Sequence, residues 1–245
     1  MRVSGLMIKI SASMIFHRGM AWHTYRNLEQ DFIEVTRYVA LEKENGGAYS
    51  ERIAQLLLLV GSTVDSVFFE MRTSPSLDGK NGVDELRQNA EPNIGQYREV
   101  YEPIYQLSTV GVLAHHGLTN YGTIKPFDPF LPKQSPPWWN AYNDIKHEYY
   151  QNWRKGTLDN LVHALGALFA LNILHKDAQY YLLQRQVILM VSGYDEKQIY
   201  NFPPLQMYRL MSKSFIGLPH DISWGASASS EVFYHYFRKD PNQEN

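Results

Sequence analysis

The chain contains no cysteine. That excludes a disulfide framework, a thiolate metal site and a cysteine nucleophile. It fits a reducing compartment, and a cytoplasmic location is expected. A strong charge of either sign is also missing. The 23 Lys and Arg against 25 Asp and Glu leave a formal net charge of −2, so no overall basic field advertises nucleic-acid binding. The sequence holds no Gly-rich phosphate loop, no Gly-x-Ser-x-Gly elbow and no His-Glu-x-x-His, the motifs that would mark nucleotide, acyl-transfer or zinc-protease chemistry. Long apolar runs are scarce. The run between Leu161 and Leu174 is too short to span a bilayer and contains His163 and Asn172. The N-terminal "MRVSGLMIKISASMIFHRG" is apolar, but Lys9 interrupts it and no small-residue cleavage site follows. It reads as a leader strand, or as residues upstream of the true start, and not as a signal peptide.

What is present is an ordinary globular balance with many rings. Of 245 residues, 44% are hydrophobic and 13% aromatic, including 17 tyrosines and 5 tryptophans. Such a chain can bury a real core, and the aromatics exclude a disordered one.

Hydrophobic periodicity predicts a mainly α fold. Trp22, Tyr25, Leu28, Phe32, Val35 and Val39 recur every three or four positions, so a helix is expected from about Ala21 to Leu41. "KENGGAYS" ends it, and Ser50 stands as an N-cap for "ERIAQLLLLVGSTVDSVFFEM". "SPSLDGKNG" is a loop, and a helix with Pro103 as a start, kink or break runs through "IGQYREVYEPIYQL". "STVGVLAHHGLTNYGTIKPF" predicts extended structure, a small hairpin. The proline-rich "KPFDPFLPKQSPP" is an irregular connector, and Thr157 caps a buried helix, "LDNLVHALGALFALNILH". Further helices are expected in "DAQYYLLQRQVILMVS" and around Pro204 to Lys213, with "RKDPNQEN" frayed. The expected organisation is a leader segment over 1–20, a helical domain over 21–192 and a helical or irregular extension over 193–245 packed on that domain.

The stretch "PPWWNAYNDIKHEYY" carries whatever chemistry there is. On a helical wheel Trp138, Ala141, Tyr142, Ile145 and Tyr149 share one face, the expected core stripe. Asn143 and His147, four apart, lie above one another on another face, flanked by Trp139, Lys146 and Tyr150. A histidine serves as acid or base near neutral pH, and a lysine holds a phosphate or a developing negative charge. Asn143 can orient the ring or a substrate hydroxyl, and Trp139 or Tyr150 can stack on a base. From pattern alone the simpler reading of the same residues is structural, a packed helix that carries one histidine and one lysine.

"WWNAYNDIKH" and "ENGGAYSERIAQLLLLVGSTVDSVF" resemble a family of uncharacterised prokaryotic α-helical proteins. The order of elements from about Phe32 to His175 is similar to the HEPN superfamily of helical bundles. That resemblance implies a HEPN-like bundle with a small hairpin before the motif helix. It implies a homodimer whose two motif faces build one cleft, in a prokaryotic defence or toxin–antitoxin setting. RNA or a nucleotide, and an antitoxin-like protein, are the partners it implies. Catalytic members are metal-independent ribonucleases, so no cofactor is expected. Their motif is an arginine, a polar residue, three variable residues and a histidine. Asn143 and His147 match it, while Tyr142 stands at the arginine position. A second arginine, two residues after the histidine, is here Tyr149, and the nearest is Arg154. The resemblance assigns His147, Lys146 and Asn143 to catalysis and Trp139, Tyr150 and Arg154 to substrate binding. Lys146 either supplies the missing arginine's charge or forms a salt bridge with Asp65, Glu70 or Glu148. The alternative is a non-catalytic interaction module in which the motif helix serves packing and dimerisation.

Other histidines carry less. His115 and His116 are adjacent in an expected strand and point to opposite faces, so they seldom share a metal. Asp144 and His147 have the i, i+3 spacing of helical di-metal bundles, but the partner motifs are missing. His163 and His175 read as core or helix-end residues. Asp65 and Glu70 are expected to pair with Arg or Lys across the bundle, or to meet Lys146.

Overall fold

The helix after Thr157 is apolar on every side, and it forms the centre of the molecule. α7 (Leu158–Leu174) buries all but a few of its residues. α1 (Ala12–Thr36), α2 (Glu51–Met71) and α5 (Pro137–His147) pack around it. This computed structural model describes residues 12–116, 118–175, 182, 188–190, 208–210, 227–229 and 233–236. Among them the other helices are α3 (Val83–Gln88), α4 (Ile94–Tyr105) and the short α6 (Tyr149–Asn152). The fold is mainly helical, as the periodicity requires.

The caps form where side-chain chemistry places them. The Ser50 hydroxyl accepts the Ile53 N–H at 3.2 Å, and the Thr157 hydroxyl accepts that of Asn160 at 3.3 Å. At α4 Asn93 and Gln96 make a reciprocal capping box, and Pro103 is held inside the last turn. α2 is long and apolar enough to cross a membrane by length and composition alone, but half of its apolar window is buried against its neighbours.

Four regions differ from the sequence reading. The first helix begins at Ala12, within the stretch expected to be a leader, and ends at Thr36; residues 1–11 lie outside the described residues. The short helix α3 sits directly after the "SPSLDGKNG" loop, where six residues are too few to show a period. The hairpin of β1 (Val112–His116) and β2 (Thr119–Ile124) is no isolated excursion. It joins β5 (Ser227–Ser229) and β6 (Phe233–Tyr236) in a four-stranded sheet of order β2-β1-β6-β5. Leu113 pairs with Tyr234, a partner far away in sequence, so local patterning could not reveal it. Finally, helices were expected over "DAQYYLLQRQVILMVS" and around Pro204 to Lys213. Within those stretches Leu182 is helical, β3 (Ile188–Met190) and β4 (Tyr208–Leu210) are antiparallel strands, and the other residues lie outside the described residues. Cross-strand pairing outweighs helix propensity in such short apolar runs.

A wall of rings fixes α4 and α5 against α2. Phe68 stacks on Tyr97 and Tyr101, with centroids 5.1 and 5.6 Å apart. The Tyr101 hydroxyl donates to the Phe68 carbonyl at 2.7 Å, and burial pushes that phenol well above its ordinary range. The Trp138 indole donates to the Pro126 carbonyl at 2.8 Å, which ties α5 to the proline-rich connector.

Candidate functional site

Pro137 occupies the first helical position of α5, where its missing N–H costs nothing and its fixed φ suits the helix. The stripe read from the wheel is the buried one: Trp138, Ala141, Tyr142 and Ile145 are all core. Tyr142 lies flat against α2. A Cβ at Gly61 would stand 2.4 Å from two atoms of its ring, so the two helices meet where α2 has no side chain. Tyr142, which stands where the expected motif has an arginine, is therefore deep in the α2–α5 contact.

The wheel holds only as far as His147. Glu148 has φ −138° and ψ 68°, which breaks the helix. Asn152 Nδ2 then caps the Asp144 and Glu148 carbonyls at 3.2 and 3.3 Å, and Lys155 reaches Asp144 at 2.7 Å. Tyr149 and Tyr150 belong to α6; Tyr149 is half-buried and still packs against the core, whereas Tyr150 leaves the motif face.

The six sequence-predicted residues fall into two groups. Trp139, Asn143 and Lys146 line a groove of about 900 Å³ between α2, α5 and the chain entering α4. Trp139 is more buried than its flanking position suggested, at 6% exposed, with its edge in the groove. Asn143 donates from Nδ2 to the Trp139 carbonyl at 3.0 Å. Lys146 stands over the Tyr142 ring, its Nζ 5.4 Å from the centroid. His147, Tyr150 and Arg154 lie outside the groove. His147 is exposed at the last position of α5. Tyr150 is 92% exposed, and Arg154 covers Trp153, Cζ to centroid 5.6 Å.

The rest of the groove comes from α2 and from the start of α4. Asp65, Ser66, Phe69 and Glu70 supply one wall, and Glu91, Asn93 and Tyr97 the other. Three carboxylates therefore face one amine. None of the three forms an ion pair among the described residues, and neither does Lys146. The salt bridges expected for Lys146, Asp65 and Glu70 are thus not made. The nearby Arg72 is spent elsewhere. Its guanidinium carbon lies 3.5 Å from the Phe69 centroid, and it donates to the Leu86 and Asn89 carbonyls.

Electrostatics follow from this arrangement. Burial raises the Asp65 carboxyl above its ordinary 3.8, while the Lys146 charge opposes the rise. The Tyr97 phenol is pushed up to about 12 by burial and by the Asp65 charge, with Arg72 opposing. A half-buried carboxylate without an ion-pair partner costs stability, and a cation arriving in the groove would recover it. Asp65 was legible as the polar exception on an apolar helix. Phe69, Glu91 and Asn93 were not, because only the fold brings α3, α4 and α5 to one side of α2.

Among the described residues no group of three or more His, Asp or Glu could hold a metal ion. His115 and His116 end β1, and Asp144 is paired with Lys155 away from His147. Compared with known proteins, the chain matches no family model, no characterised protein and no solved structure.

Proposed function

We propose that the chain is a HEPN-like helical protein that works by binding, with the α2–α5 groove as its contact site for a basic segment of a protein partner. The observation that carries this reading is the groove's charge: Asp65, Glu70 and Glu91 against Lys146, with no ion pair among the described residues closing any of them. A phosphate backbone entering such a groove meets net repulsion, whereas an arginine or lysine side chain finds carboxylates and ring faces together. Trp139, Phe69 and Tyr97 give the aromatic walls; Asn93, Asn140 and Asn143 give amide groups for the peptide backbone. The motif helix then has two tasks. Its Trp138, Tyr142 and Ile145 lock α5 to the core, and its Trp139, Asn143 and Lys146 shape the groove. An antitoxin-like partner with a basic segment fits this chemistry.

The test is titration of an arginine-rich peptide followed by fluorescence of Trp139 and the other tryptophans. Binding is expected to weaken as salt rises. It should fall by about tenfold or more when Asp65→Asn and Glu70→Gln are combined. Equal affinity in that variant would remove the groove from the account.

A further inference from the structure

A second cleft lies at the N-terminal end of α7, built from three parts of the chain. The first two turns of α7 contribute Asp159 and His163. β2 and the residues after it contribute Tyr121, Lys125 and Asp128, and the turn before α2 contributes Lys43 and Gly46. Its volume is about 710 Å³, room for a small molecule in an open cleft.

The turn is sewn across the start of α7. The Leu158 N–H donates to the Ala48 carbonyl at 2.8 Å and the Asp159 N–H to that of Gly46 at 2.9 Å. Thr157 takes the next two, Asn160 through its hydroxyl and Leu161 through its carbonyl. All four N-terminal N–H groups of α7 are thereby used, so recognition in this cleft falls to side chains. Gly46 permits the arrangement: a Cβ there would come within 2.8 Å of the Tyr121 hydroxyl.

Asp159 is the hub. Its carboxylate accepts the Tyr121 hydroxyl at 2.6 Å and faces His163 Nδ1 at 3.4 Å. Its backbone carbonyl lies 2.9 Å from the same Nδ1. A carbonyl only accepts, so Nδ1 carries the proton, and Nε2 is the free nitrogen of a ring that lines the cleft. Burial, and then the bond to Asp159, push the Tyr121 phenol well up, which keeps it a donor. Asp159 is thus committed to its neighbours. Lys43, Lys125 and Asp128 are not: among the described residues none of them forms an ion pair.

We infer that this cleft is a binding site for a small hydroxylated oxyanion, a sugar phosphate or a hydroxy acid, held by Lys43 and Lys125 with its hydroxyls on His163 Nε2 and Asp128. The two uncommitted amines answer the anionic group. The imidazole nitrogen and the second carboxylate answer hydroxyl donors set apart from the anionic group, which inorganic phosphate does not offer. The site is independent of the α2–α5 groove and shares no residue with it.

The test is amide-resolved NMR on the full chain at constant ionic strength, with ribose 5-phosphate and tartrate as separate probes. Saturable shifts at Gly46, Gly47 and His163 with either probe are expected, and the probe that binds tells the phosphate source from the carboxylate. Ribose alone and inorganic phosphate alone should bind about tenfold more weakly or worse. Lys43→Gln combined with Lys125→Gln changes two exposed side chains, leaves the amide spectrum folded, and should lower affinity by about tenfold or more. Lys80→Gln, an exposed lysine elsewhere, should change nothing. No saturable shift with either probe, equal binding of ribose or phosphate alone, or binding indifferent to the lysine pair overturns the inference.

Discussion

Replacing Gly61 with alanine tests the α2–α5 contact at its tightest point. On an open helix face the change would stabilise, because alanine exceeds glycine in helix propensity by about 0.8–1 kcal/mol. Here the new Cβ would lie 2.4 Å from Cγ and Cδ2 of Tyr142 and 2.9 Å from Cε2, against an ordinary carbon contact of about 3.5–4.0 Å. Tyr142 is 2% exposed, and its neighbour Trp139 packs on it with centroids 5.3 Å apart, so the ring has no room to turn. Overpacking of this kind costs about 1–3 kcal/mol, and the overlap puts it at the upper end. Set against the propensity gain, Gly61→Ala should destabilise by about 2 kcal/mol. For a chain of this size that lowers the melting temperature by about 4–8 °C. A double-mutant cycle fixes the cause. Tyr142→Ala alone should cost about 3–5 kcal/mol, and in that background Gly61→Ala should be neutral or stabilising. Chemical denaturation of the four proteins reads all the terms. A Gly61→Ala protein as stable as wild type, or strict additivity in the cycle, would refute the packing described between α2 and α5.

Asp65→Asn should raise stability at pH 7. The raised native pKa means that the folded chain holds the proton more tightly than the unfolded one, so stability falls as pH rises from 3.8 through the native value. The asparagine variant should lack that fall, and urea midpoints at acid and neutral pH check both statements. Tyr142→Arg should not create a ribonuclease, because it places a guanidinium against Gly61 in the core; circular dichroism should show loss of cooperative folding. Thr157→Ala removes the cap of α7 and should cost about 1 kcal/mol, measured as a shift in denaturation midpoint.

Local features were legible in the sequence wherever the cause was local. Ser50 and Thr157 cap helices because a hydroxyl beside an apolar run has one obvious task. The stripe of Trp138, Tyr142 and Ile145 follows from period alone. Where causes are distant in the chain, local pattern carries no signal. The break at Glu148 depends on Asn152 reaching back to two carbonyls, so Tyr150 left the face on which the wheel placed it. β1 pairs with β6 across about half of the chain, and no short window of residues contains both. The groove was half visible: Asn143 and Lys146 were read correctly as neighbours, and Asp65 as an exception needing a reason. That reason lies in Glu91 and Asn93, which reach the same space only after α3 and α4 have folded back. His163 was read as a core or helix-end residue, since its link to Tyr121 runs through Asp159 across 38 positions of sequence.

The proposed function predicts that the motif helix packs and binds without cutting RNA. Incubation of structured and single-stranded RNA with wild type and with His147→Ala, in chelator and with folding checked, tests it most directly. Both proteins are expected to leave the RNA intact. Cleavage by wild type that is lost in His147→Ala would contradict the account and assign the exposed end of α5 to catalysis.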